Sequence, residues 1–336
     1  MELSGCLNAY ESLDITPVIG KEFPKANLVD WMNDPKANDL LRDLAITISQ
    51  RGVVVFRAQD NLTNDLQKQL ILRLGELSGR PETSGLHIHP IFNSERKDGG
   101  SDNEISTISS EDRKAFYASE VQRKKKQSHN NWHSDLAFEK VPADYSSLRL
   151  TDLPATGGDT LFASGYDIYD RISEPMQKFL ETLTATHASP VKLGEDCSRR
   201  WLRRLLGEER IPENVGASLR AQHPVIRTNP VTGWKSVFAI GQHTERIDGV
   251  ADEESTMLLD WFLRILLQNH DLQARLRWLH PNDIAIWDNR STFHCATWDY
   301  DHLPGKRFGN RAVGVGERPY LDPASTSRQA ALYGSV

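Results

Sequence analysis

Cysteine is scarce: Cys6, Cys197 and Cys295 are the only 3 in 336 residues. Three widely separated thiols cannot form a disulfide framework, and none stands in a C-x-x-C pair, which argues against a stapled fold and a thiolate zinc site. Long apolar runs are also missing. Stretches such as Val53–Phe56 and Ile284–Trp287 end after about four residues, where a membrane-crossing helix needs roughly 20. The opening Met1-Glu2-Leu3-Ser4-Gly5-Cys6 lacks the basic-then-apolar order of a secretion signal, so the cytosol is the expected location. Neither sign of charge dominates: 40 Lys+Arg against 46 Asp+Glu leave a net charge of −6, with no basic half. A nucleic-acid or anionic-membrane partner is therefore not expected. His-Glu-x-x-His, Gly-x-x-x-x-Gly-Lys and Gly-x-Gly-x-x-Gly are absent, which removes zinc-protease, nucleotide and dinucleotide readings.

What remains is a 38.0 kDa chain with 38% hydrophobic and 26% charged residues, enough to bury a substantial core. No linker, repeat or low-complexity segment divides it, so residues 1–336 read as a single α/β domain. Leu40, Leu41, Leu44 and Ile48 recur at helical spacing after Asn38, and Gly52 stands where that helix would stop. The buried strand Val53–Phe56 follows, then a helix over about Thr63–Leu77. Strand character around a turn at Leu153–Gly158 runs from Tyr145 to Thr160, with helical patterns after it near Asp167–Leu183 and Glu195–Leu206. Met257, Leu258, Trp261, Phe262 and Ile265 mark one side of a further helix. Strands Ile284–Trp287 and Arg311–Val315 complete the pattern, and strands near 130–163 and 284–315 are expected at its centre. The polar stretch around 94–127, with Gly99-Gly100 and Arg123–Lys126, reads as a lid or mobile insert.

The chemistry concentrates in Asn131-Trp132-His133-Ser134-Asp135. Residues two apart on a strand face the same side, so His133 and Asp135 would aim at one point. His294, at the end of Trp287-Asp288-Asn289-Arg290-Ser291-Thr292-Phe293-His294, is the candidate third ligand. Two imidazoles and one carboxylate on one face of an octahedral metal leave the opposite face open, the arrangement of non-haem Fe(II) oxygenases. That set holds Fe(II) without thiolates and leaves adjacent positions for a chelating co-substrate and dioxygen. A His-x-Asp pair alone is a weak signal, since a hydrogen-bonded core histidine beside a turn carboxylate reads the same way.

The surrounding segments are more specific. Ile284-Ala285-Ile286-Trp287-Asp288-Asn289-Arg290, His294, Asp299-Tyr300, Leu303-Pro304, Arg307 and Arg311 occur in order, preceded by Gly157-Gly158-Asp159-Thr160 and by Gly85-Leu86-His87-Ile88-His89-Pro90. From about Ile15 to Pro319 the chain resembles the taurine dioxygenase family. The resemblance implies a double-stranded β-helix (jelly roll) with flanking helices, and a dioxygenase dependent on Fe(II) and 2-oxoglutarate. Position by position it implies that His133, Asp135 and His294 hold the iron. It also implies that Arg307 and Thr160 bind the distal carboxylate of 2-oxoglutarate. Arg311 would meet an anionic group of the substrate or the keto-acid end of the co-substrate. A planar guanidinium orients a carboxylate through two parallel N–H groups, which lysine cannot do. The implied reaction couples decarboxylation of 2-oxoglutarate to succinate and carbon dioxide with oxidation of a substrate C–H bond by O2. Family members often form homodimers or homotetramers, so a homo-oligomer is an expectation of the resemblance.

The substrate is less sharply specified. In taurine-cleaving members the second histidine of His-Ile-His-Pro, here His89, contacts the sulfonate. Those members carry a tyrosine where this chain has Phe92 and an asparagine where it has His129. Both departures fall where the taurine amine would be recognised, and phenylalanine cannot replace a lost hydroxyl. The expectation is a small anionic substrate, a sulfonate or a carboxylate or amino acid, in preference to taurine itself. The alternative is a tailoring oxygenase of fungal secondary metabolism. A jelly-roll enzyme without 2-oxoglutarate leaves Arg307 and Thr160 without purpose, and an inactive metal-binding module sits poorly with a complete triad.

Overall fold

The apolar runs Val53–Phe56 and Ile284–Trp287 pair antiparallel inside a seven-stranded sheet, and all their residues are buried. The structure, a computed structural model, describes residues 1–88, 102–111, 131–189, 211–216 and 218–334. Its strands are β1 (Leu13–Asp14), β2 (Lys21–Phe23), β3 (Val53–Phe56), β4 (Ile105–Ser109), β5 (Ala143–Asp152), β6 (Thr160–Ser164), β7 (Thr184–Ala188) and β8 (Arg220–Pro224). They continue as β9 (Ile226–Thr228), β10 (Lys235–Val237), β11 (Thr244–Asp248), β12 (Gln273–Leu276), β13 (Asp283–Asp288), β14 (Thr292–Ala296) and β15 (Phe308–Val315).

The large sheet runs β1-β2-β3-β13-β5-β15-β4, and smaller sheets are formed by β12-β6-β14, β11-β7-β8 and β10-β9. Successive strand side chains point to opposite faces, and both faces of the large sheet are covered. Val54, Phe56, Ile284 and Ile286 go to one side, where they meet Leu41, Leu44, Leu70 and Leu74 of the helices Ala37–Arg51 and Asn64–Leu77. Val53, Val55, Ala285 and Trp287 go to the other, against Leu148, Leu150, Phe162 and Leu276. That second layer lies between the large sheet and β12-β6-β14, so the expected jelly roll is the observed fold. On the outer side of the small sheets, Leu258, Phe262 and Leu266 of the helix Asp252–Gln268 pack with Ala163, Ile247 and Phe293.

Several expectations are corrected. Met257 does not share the buried stripe of its helix; it is 60% exposed, and the buried spacing is Leu258, Phe262 and Leu266. The helical pattern near Asp167–Leu183 is two short helices, Gly165–Asp170 and Glu174–Leu180. Ser173, followed by Glu174-Pro175, starts the second afresh, because proline is tolerated only in a first helical turn. The stretch around 94–127 contains a strand, β4, paired with β15 at the edge of the large sheet. Its flanks, including Arg123–Lys126, and the expected helix Glu195–Leu206 lie outside the described residues.

Candidate metal centre

His133 and Asp135 converge by a route other than strand alternation. His133 forms an isolated antiparallel bridge with His294, in which each main-chain N–H donates to the other's carbonyl at 3.1 and 2.9 Å. Asp135 then begins a turn in which Leu136 takes a left-handed φ of 59°. The bridge sets the two imidazoles side by side, with ring centroids 4.2 Å apart. Asn289 fixes the turn: its Oδ1 accepts from the Asp135 amide at 3.0 Å and from Trp287 Nε1 at 3.0 Å, while its backbone carbonyl accepts from Ser134 Oγ at 2.7 Å. Asp288 and Arg290 bond to each other and hold the loop, without entering the site. Trp132 and Phe293 pack in the core behind it.

Asp135 Oδ1 lies 3.8 Å from Nε2 of both His133 and His294, and the three candidate ligand atoms are all within 4.8 Å of one another. Its other oxygen accepts from Ser146 Oγ at 2.8 Å, which pins the carboxylate plane. His133 Nδ1 faces the Asn131 carbonyl at 2.8 Å, so an N–H there leaves the Nε2 lone pair facing Asp135. Burial holds both imidazoles below their ordinary pKa, His294 strongly, with His133 adding to the effect on His294. Burial is the largest single influence on the Asp135 carboxyl and would raise it, but the Arg311 guanidinium, the His294 and His133 rings and the Ser146 hydroxyl together outweigh it, and the pKa falls. Neutral imidazoles beside an ionised carboxylate are the protonation states a divalent metal requires. This donor set therefore fits a ferrous ion.

Arg311 donates from Nη1 to Asp135 Oδ1 at 2.7 Å, so its observed partner is the carboxylate of the triad. Arg307 is 3% exposed and reaches a different spot, donating from Nε to the Gly158 carbonyl at 2.9 Å and from Nη2 to Thr160 Oγ1 at 3.4 Å. Trp278 Nε1 donates to the same hydroxyl at 3.2 Å. Strand register relates this cradle to the triad. His294 pairs with Phe162 and Ala296 with Thr160, so His294 and Thr160 are diagonal cross-strand neighbours on one face, about 7–8 Å apart. Trp278 is a member of the site that the sequence alone did not single out. His89, Phe92 and His129 lie outside the described residues.

A backbone contact sets the position of the metal loop. The loop before β11 docks on Trp132, with Gln242 N donating to the Trp132 carbonyl at 3.0 Å. Gly241 has φ 93°, and a Cβ there would fall 1.9 Å from that carbonyl oxygen. Gly241→Ala is expected to destabilise the protein by at least the ~1–2 kcal/mol that a left-handed residue costs, and to weaken iron binding by shifting His133. Thermal melting and an anaerobic iron titration check both effects; unchanged values for both would contradict the assigned role.

A jelly roll that brings two histidines and one carboxylate together beside strand β14 defines the class of non-haem metal oxygenases. Within that class the chain belongs to the taurine catabolism dioxygenase TauD, TfdA family, whose profile matches residues 11–313. It is 50% identical to "Alpha-ketoglutarate-dependent dioxygenase btcD" of Neocamarosporium betae, over 98% of this chain and 97% of that one. It is 29% identical to "Alpha-ketoglutarate-dependent sulfonate dioxygenase" of Saccharomyces cerevisiae, over 92% and 67%. Among solved structures, a taurine dioxygenase from Burkholderia xenovorans superposes with a TM-score of 0.67 at 22% identity, covering 94% of this chain and 92% of the other.

Proposed function

We propose that the chain is a dioxygenase that uses Fe(II) and 2-oxoglutarate to oxidise a C–H bond of a small anionic substrate with O2. The observation that carries this reading is the placement of Thr160, the hydroxyl on which Arg307 and Trp278 converge, one diagonal step along the sheet from His294 of the triad. A dicarboxylate whose keto-acid end meets a metal needs a buried cation at such a distance for its other end. His133, Asp135 and His294 would hold the iron, and Asp135 supplies the anionic ligand. When bound, iron and 2-oxoglutarate supply the oxidising chemistry, with release of succinate and carbon dioxide. Arg307 orients the distal carboxylate, Thr160 accepts from Arg307 and Trp278 and so fixes the cradle, and the buried walls exclude water from the reacting centre. Arg311 places positive charge beside the triad, which supports an anionic substrate, a sulfonate or a carboxylate.

The test is an anaerobic Fe(II) and 2-oxoglutarate titration followed by a screen of sulfonates, amino acids and aryl acids for coupled succinate release. Iron-dependent succinate formation that rises with one chemical class supports the reading. Absence of any 2-oxoglutarate-dependent change on iron loading would reject it.

A further inference from the structure

We propose that Asp299 is a positioning residue for 2-oxoglutarate: it clasps the turn before β6 to the segment before β15, and so holds the Gly158 carbonyl where it orients Arg307. The inference rests on the dioxygenase reading above. Thr160 opens β6 and Arg307 lies just ahead of β15, so the two cradle residues come from separate stretches of chain. Asp299, between β14 and β15, joins them. Its Oδ1 accepts from the Gly158 amide at 2.9 Å and from Thr297 Oγ1 at 2.9 Å. The Gly158 carbonyl in turn accepts from Arg307 Nε at 2.9 Å, so one residue passes the position of Asp299 on to the guanidinium. Partial burial works to raise the Asp299 carboxyl, but hydrogen bonds from the Gly158 amide, the Thr297 hydroxyl and its own amide, with the Arg275 charge, outweigh it and the pKa falls. The clasp is therefore a charge-assisted hydrogen bond.

Glycine at 157 and 158 admits the clasp. Both residues take left-handed φ, 77° and 71°, which side chains resist. A Cβ on Gly157 would fall 2.7 Å from Asp299 Oδ1, and one on Gly158 3.0 Å from Arg307 Cδ, so the carboxylate and the guanidinium close on the turn only because neither position carries a side chain. Packing alone does not fix the turn. Behind it lies a cavity of about 650 Å³, lined by Leu153, Pro154, Gly158, Trp278 and Lys306, which gives the turn room to retreat when the hydrogen bond is lost. Of the Arg307 bonds to Gly158 and Thr160, the one to Gly158 is the shorter, so the turn has the larger say in the plane of the guanidinium. Arg275 also reaches this cluster, with Nε 2.7 Å from Asp159 Oδ2 and Nη2 3.6 Å from Asp299 Oδ2. Its side chain is 56% exposed, and an ion pair so open to water adds little.

The experiment titrates 2-oxoglutarate calorimetrically into the full-length protein loaded anaerobically with Fe(II), comparing wild type with Asp299→Ala, Asp299→Asn and Arg275→Ala. Asp299→Ala is expected to weaken 2-oxoglutarate binding about 10-fold while the Kd of iron stays within twofold. Asp299→Asn keeps an oxygen for the Gly158 amide and should recover part of the loss, and Arg275→Ala should stay within twofold of wild type. In the protein free of iron and co-substrate, hydrogen exchange of the peptide spanning residues 153–160 should be faster in Asp299→Ala than in wild type. The melting temperature of that variant should lie within a few degrees of wild type, because the Asp299 side chain is 49% exposed. Unchanged 2-oxoglutarate binding or unchanged exchange in Asp299→Ala, a matching loss of iron affinity, an asparagine variant no better than alanine, or an Arg275→Ala loss equal to that of Asp299→Ala overturns the proposal. An Asp299→Ala protein that does not fold overturns it too, since Asp299 would then be a general stabiliser. Failure of the dioxygenase reading is recognised separately, by a wild type that takes up iron and binds no 2-oxoglutarate.

Discussion

Asp135→Ala is expected to lower substrate-dependent succinate formation by at least ~10³-fold at fixed iron, and His133→Ala to do the same. Asp135 is the one anionic member of the triad, 4% exposed, and its Oδ1 sits 3.8 Å from both Nε2 atoms. Removing one partner of a buried ionic contact costs about 3–5 kcal/mol, or roughly 10²–10⁴ in an equilibrium constant. Here the lost partner serves the metal and Arg311 together. The truncated protein also leaves the half-buried Arg311 beside two histidines without its carboxylate, so Asp135→Asn, which keeps the shape, is the informative companion. Iron content and succinate yield, measured with circular dichroism to verify folding, check the expectation. Turnover above a few per cent of wild type in a folded Asp135→Ala protein would contradict it.

Arg307→Ala should weaken 2-oxoglutarate binding about 100-fold or more and leave the affinity for the prime substrate within a few fold. Each hydrogen bond to a charged group contributes about 1.5–3 kcal/mol, and a guanidinium meeting a carboxylate makes two. Arg307 is held for that purpose by the Gly158 carbonyl and the Thr160 hydroxyl, with Trp278 beneath it at 5.9 Å. Arg307→Lys should recover only part of the affinity, because an ammonium supplies a point charge. The measurement is the apparent KM for 2-oxoglutarate set against that for the substrate. Equal weakening of both would reject the assigned role.

The parts of this account that were legible beforehand are those written in short segments. The runs at Val53 and Ile284 were identifiable as buried strands because few strands lack polar residues unless both faces are covered. The helix Ala37–Arg51 followed from apolar spacing and a terminal glycine. His133, Asp135 and His294 were identifiable by residue type, and Arg307 with Thr160 by position in a family pattern. The manner of convergence was hidden. A one-residue bridge between His133 and His294, and a turn held by Asn289, replace the strand alternation that a His-x-Asp pair suggests. Arg311 was legible as a charge near the metal, but its bond to Asp135 depends on the register of β15 against β5. Trp278 has no local signature, because it reaches Thr160 across 118 positions. Met257 shows the converse error, an apolar side chain at nearly the right helical angle that faces outward.

An iron-edge anomalous difference map from crystals loaded anaerobically with Fe(II) and 2-oxoglutarate tests the central claim most directly. One peak is expected per chain, at bonding distance from Nε2 of His133, Nε2 of His294 and Oδ1 of Asp135, with the co-substrate's far carboxylate on Arg307. A peak elsewhere, or a co-substrate lying away from Arg307 and Thr160, would contradict the account.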